Sequence, residues 1–110
     1  MARLSAQEIA HYQAEGYVVP QFRLPAARVA QMRDALDALI RANPGVRPEK
    51  LVSAHIEGDN GEGVRGNREF LDLAMDPEIV ELVSGVIGDD VILWGCHVFC
   101  KPAEEGFETP

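Results

Sequence analysis

Residues 91–102, Val-Ile-Leu-Trp-Gly-Cys-His-Val-Phe-Cys-Lys-Pro, constrain this chain more than any other stretch. They are its one long apolar run, and they carry its only Trp, both Cys and one of its three His. Gly88-Asp89-Asp90 before and Lys101-Pro102 after are turn signals, and β-branched and aromatic residues fill the interval, so the run reads as a strand over about 91–101. Both faces of that strand are apolar. Such a strand normally lies inside a sheet with a layer packed on each side, so it needs neighbours. Two short segments qualify: Tyr17-Val18-Val19, β-prone and stopped by Pro20, and Leu51-Val52-Ser53-Ala54-His55-Ile56.

The rest of the chain reads mainly as helix. Ser5 and Glu8 have capping-box spacing, Leu4 and Ile9 that of a hydrophobic staple, and Gly16 the position of a C-terminal cap, which predicts a helix over about 5–15. Val29, Met32, Leu36, Leu39 and Ile40 recur at helical spacing between Pro25 and the Asn43-Pro44-Gly45 stop, predicting a second over about 25–42. Residues 68–74 are expected to add a turn or two. Asp76-Pro77-Glu78 opens a third long helix over about 77–87, with Ile79, Val80, Leu82, Val83, Val86 and Ile87 on its apolar face. Glycines at 58, 61, 63 and 66 make residues 57–67 a flexible loop, in the manner of a lid. It lacks the Gly-Lys-Ser/Thr ending or strand-to-helix context of a phosphate cradle.

Length and charge limit the function. With 110 residues, 46% hydrophobic and 25% charged, the chain suits a single globular domain. Residues 1–56 hold seven Lys/Arg against five Asp/Glu and residues 57–110 three against thirteen, giving +2 and -10. An acidic second part argues against nucleic acid, whose binding needs basic surface. No apolar run reaches the roughly 20 residues of a membrane span, and residues 1–3 lead into a polar helix rather than a signal peptide, so a soluble, cytoplasmic protein is expected. On a strand, Cys96 and Cys100 lie ~13 Å apart, beyond the ~7 Å Cα limit for a disulfide, and are expected to be reduced.

Alternation places Gly95, His97, Phe99 and Lys101 on one face of the strand and Trp94, Cys96, Val98 and Cys100 on the other. On a pocket wall, His97 would contact a polar substrate and Lys101 a carboxylate. The plainer reading makes His97 a hydrogen-bonded core residue and Lys101 the strand's end in water. A zinc site from Cys96, His97 and Cys100 with His55 is disfavoured, because a strand separates the cysteines and turns His97 to the opposite face. No nucleophile elbow, Ser/His/Asp arrangement or HExxH is found.

As a set, Leu4-Ser5 with Tyr12, Glu15-Gly16-Tyr17-Val18-Val19, the long second helix, Phe70-Leu71-Asp72-Leu73 with Asp76-Pro77-Glu78-Ile79, and Leu93-Trp94-Gly95-Cys96-His97-Val98-Phe99-Cys100-Lys101-Pro102 resemble the N-terminal part of the phytanoyl-CoA dioxygenase family. The resemblance covers nearly the whole chain, and its most specific piece is the strand ending in Phe-x-Lys-Pro. It implies an α+β fold: the N-terminal helices and first strands of a double-stranded β-helix, or jelly roll, incomplete here, with residues 1–110 as part of one domain. It also implies iron(II)- and 2-oxoglutarate-dependent hydroxylation of a C–H bond in a small organic substrate, at a triad of two His and one carboxylate. Lys101 matches a lysine that contacts 2-oxoglutarate. His97 matches a cosubstrate or substrate position, and Gly95 and Phe99 share that face as substrate-pocket positions.

The family's His-x-Asp motif, which follows the Phe-x-Lys-Pro strand after a short linker, is missing: the chain stops at Phe107-Glu108-Thr109-Pro110. No catalytic residue and no metal ligand are therefore assigned; iron and 2-oxoglutarate belong to a full-length parent, and this chain is expected to be inactive alone. The alternative is a non-enzymatic α/β module that binds a partner, or itself, through the edge of residues 91–100.

Overall fold

A computed structural model of the chain describes residues 3–103; the acidic tail at 104–110, where the resemblance stops, lies outside the described residues. Four α-helices carry most of the regular structure: α1 (Ala6–Glu15), α2 (Ala26–Ala42), α3 (Arg68–Ala74) and α4 (Pro77–Ile87). Their ends follow local chemistry. Ser5 Oγ accepts from the Glu8 N–H and Glu8 returns a carboxylate to the Ser5 N–H, closing a capping box, and Gly16 takes the left-handed conformation, φ 81°, that ends α1. Pro25 sits one place before α2 rather than inside it. Asp76 caps α4 through the Glu78 N–H, and its buried carboxylate also pairs with Arg28 of α2.

Glu8 does more than cap. Its carboxylate accepts from the Ser5 N–H at 2.9 Å and from the Gln21 N–H at 2.8 Å, tying the segment after α1 back to the helix start. Those two backbone donors, Ser5 first, hold its pKa below the 4.5 usual for glutamate. A depressed carboxyl contributes stability above its unfolded pKa that is lost as pH falls through the folded one. The protection of the Ser5 and Gln21 amides, taken relative to the unfolded-chain exchange rate at each pH, is therefore expected to fall on acidification below about 4.5, and Glu8→Gln to abolish that step; amide exchange followed by NMR checks both.

The core is small. Ala35 and Leu39 of α2, Leu51, Ala54, Val64 and Phe70 form it, with Cys96 and Val98 packed at its margin. α1 rests on α4, Leu4 lying over Gly85 and Arg3 pairing with Glu81 at 3.2 Å. α4 itself buries no residue fully, although it is apolar along most of its length.

The glycine-rich stretch is not a free lid. Gly58–Asp59 (β1) and Arg65–Gly66 (β2) pair antiparallel, Val64 at their tip is buried in the core, and Asn60 Nδ2 donates to the carbonyls of Val52 and Ser53 at 3.1 and 3.2 Å. Neither segment expected to flank the long strand forms a strand. Tyr17 and Val19 are exposed and irregular, and residues 52–55 are turns after a short 3-10 helix, Pro48–Lys50.

The strand expected over 91–101 is likewise not formed as one. Only Val98 is in a β-bridge, antiparallel to Leu51. A ladder needs a regular partner, and here a turn-rich segment takes that place. The expected double burial also fails: Ile92 is 88% and Trp94 95% exposed. Beyond the hairpin and that bridge no sheet is present among the described residues, and none of their helices is long and apolar enough to cross a membrane.

Candidate functional site

Residues 95–101 keep the side-chain alternation of an extended chain despite lacking a ladder. Cys96, Val98 and Cys100 are half-buried, the first two against the core, while His97, Phe99 and Lys101 are exposed. The helical layer thus covers one face and leaves the other open. On the open face the Phe99 ring stands edge-on to His97 at 6.2 Å, and Lys101 forms no ion pair among the described residues.

Two imidazoles stitch this segment to residues 53–55. The Ser53 N–H donates to His97 Nδ1 at 2.7 Å, and the Cys96 N–H donates to His55 Nδ1 at 3.3 Å. Because each Nδ1 accepts from a backbone N–H, the neutral rings carry their proton on Nε2 and present a donor there. Gly95 lies between them: a Cβ added at this residue would stand 3.9 Å from both rings. Side chains thereby occupy two hydrogen-bond positions that a strand neighbour's carbonyls would otherwise fill.

Ser53 carries this junction in a left-handed conformation, φ 53°, which costs about 1 kcal/mol or more for a residue with a Cβ. Its Oγ donates to Glu62 Oε2 at 3.0 Å, so the hairpin loop holds the same turn from the other side. Ser53 is not legible as a site residue from spacing, and His55 enters the sequence reading only through the disfavoured zinc set, since the contacts made here span 41 to 44 residues.

A cavity of about 600 Å³ lies on the opposite, helical side, between α2, α3, the start of α4 and residues 96–98. Val29, Met32, Leu36, Phe70 and Leu73 give it an apolar wall, and its size is that of a small-molecule pocket. His97 reaches its lining, whereas Gly95, Phe99 and Lys101 do not. The structure thus separates the sequence candidates: His97 touches both regions and the other three belong to the open face. Burial pushes the Cys96 thiol, at the cavity wall, above its usual pKa of 9.0, which disfavours the reactive thiolate.

Cys96 and Cys100 are both free thiols. Among the described residues no three His, Cys, Asp or Glu side chains come together in a way that could hold a metal ion. Neither the zinc set of Cys96, His97, Cys100 and His55 nor an iron triad is assembled among the described residues. No protein-family model, no curated protein and no solved structure matches the chain.

Proposed function

We propose that the chain forms the helical cover and first core strand of an iron(II)- and 2-oxoglutarate-dependent oxygenase of the phytanoyl-CoA dioxygenase type, the parent enzyme hydroxylating a C–H bond of a small organic substrate. The observation that carries the reading is the sidedness of residues 96–101. Cys96 and Val98 pack on the core and Cys100 is half-buried, while Phe99 and Lys101, on the face that the Phe-x-Lys-Pro resemblance assigns to cosubstrate and substrate, stay open, and His97, exposed on that face, also reaches the cavity lining. A core strand of a helix-backed jelly roll needs that division.

In this reading Lys101 is a point charge for a 2-oxoglutarate carboxylate. His97 adds an Nε2–H donor, its tautomer set by the Ser53 N–H. In the same reading the chain's part is to bind and orient the cosubstrate and to exclude water.

Two measurements test this. The 110-residue chain with iron(II), 2-oxoglutarate and oxygen is expected to form no succinate; measurable succinate would overturn the assignment of the metal triad to a longer parent. In a parent enzyme joined to a His-x-Asp segment, Lys101→Ala is expected to weaken 2-oxoglutarate binding about tenfold or more, the worth of one charged contact. An unchanged affinity removes Lys101 from the site.

A further inference from the structure

The open edge of residues 91–101 carries a second reading, which does not rest on the oxygenase proposal. Along 96–100 the backbone bonds in one direction only. The Ala54 N–H donates to the Cys96 carbonyl at 2.9 Å, the Val98 N–H to the Leu51 carbonyl at 3.0 Å and the Cys100 N–H to the Pro48 carbonyl at 3.1 Å. In an extended chain the polar groups of alternate residues point to opposite edges. Those of Gly95, His97 and Phe99 therefore point away, and among the described residues they make no backbone hydrogen bond. Just upstream, Ile92 and Trp94 are the most exposed large hydrophobics among the described residues. An apolar edge with unpaired backbone groups is a template for another strand.

Charge placement indicates which strand. Residues 91–100 contain no Asp, Glu, Lys or Arg, but Asp89 and Asp90 precede them and Lys101 follows. Parallel, in-register pairing of two copies would set Lys101 beside Lys101 and Asp89 beside Asp89, which is unfavourable. Antiparallel pairing reverses this. Over 95–99 the outward-pointing backbone groups are those of odd-numbered residues, so odd residues must face odd residues; the Val91 N–H, which donates to the Asp89 carbonyl at 3.0 Å in the single copy, exchanges that bond for one in the ladder. The register that sets Lys101 opposite Asp89 then sets Phe99 opposite Val91, His97 opposite Leu93 and Gly95 opposite Gly95. On the other face Trp94 meets Cys96 and Ile92 meets Val98.

We propose that two copies of this chain associate through that edge as antiparallel strands, with Gly95 on the two-fold axis and a Lys101–Asp89 pair at each end. The contact is isologous and closes at two copies. It gives residues 91–94 the ladder they lack in the single copy, and it covers Ile92 and Trp94.

Analytical ultracentrifugation of the 110-residue chain over a range of concentration is expected to show a reversible dimer. Asp89→Lys or Lys101→Asp alone replaces two attractive pairs by two repulsive ones and should raise the dimer Kd roughly tenfold or more. The double swap Asp89→Lys with Lys101→Asp restores opposite charges and should recover the dimer. Gly95→Cys should form an intermolecular disulfide between the two introduced cysteines, identified by peptide mapping, because Cα atoms of a hydrogen-bonded pair lie about 5.5 Å apart, within disulfide reach. A monomer at every concentration overturns the proposal. Open-ended assembly, single charge reversals without effect, or a double swap that fails to recover the dimer would each do the same.

Discussion

Gly66→Ala is expected to be the most damaging small substitution in the chain, costing about 3 kcal/mol or more. A Cβ at Gly66 would stand 2.0 Å from the Ile56 carbonyl oxygen and 2.7 Å from that of Ala54. Both are backbone atoms, so no rotamer change relieves the clash, and the 54–56 turn must separate from the hairpin. That separation breaks the Asn67 N–H to Ala54 carbonyl bond of 2.8 Å and strains the Gly58–Gly66 pairing. Against a total stability of roughly 5–15 kcal/mol for a natural domain, such a loss shifts a large part of the population. Urea unfolding of three variants checks it. Gly63→Ala meets no atom but forces a left-handed φ of 82° and should cost about 1 kcal/mol, while Gly45→Ala, which meets nothing and needs no unusual φ, should be close to neutral. If Gly66→Ala is no worse than Gly63→Ala, the approach of residues 54–56 to the hairpin is wrong.

The second large effect is expected at Asn43. This buried side chain donates from Nδ2 to the Leu39 carbonyl at 2.8 Å and the Arg65 carbonyl at 3.0 Å, and its Oδ1 accepts from the Arg65 N–H at 2.7 Å. It thus ends α2 and fastens the hairpin to it with one group. Asn43→Ala removes three hydrogen bonds and strands their partners, an expected loss of about 2–4 kcal/mol. Asn43→Asp keeps the acceptor but turns an oxygen toward two carbonyls, so it should recover little. Amide exchange at Arg65 is expected to rise with the loss of stability; a variant with unchanged Arg65 protection would remove Asn43 from this role.

Asn43 also shows why the site was only partly legible. Its place in Asn43-Pro44-Gly45 marks the end of a helix, and α2 does end at Ala42. Its bonds to Arg65 link residues 22 positions apart, and no local pattern signals them. The same holds at the candidate site. Alternation separated Cys96, Val98 and Cys100 from His97, Phe99 and Lys101, and burial follows that division. The Ser53 and His55 contacts that fix His97 and Gly95 come from a segment that reads as a strand but folds as a turn. Val64 offered no cue either: one apolar residue among glycines and acids becomes the anchor that holds the loop down.

Capping, helical periodicity and strand alternation are properties of a few consecutive residues, so the sequence by itself determined where α1, α2 and α4 begin and end, and which side chains of 95–101 share a face. Whether residues 91–101 become a strand depends on a partner for their backbone, and that is a matter of distant chain. Only the tertiary structure decided that Leu51 supplies a single bridge, that two imidazoles take further positions beside it, and that the edge carrying Gly95, His97 and Phe99 stays open.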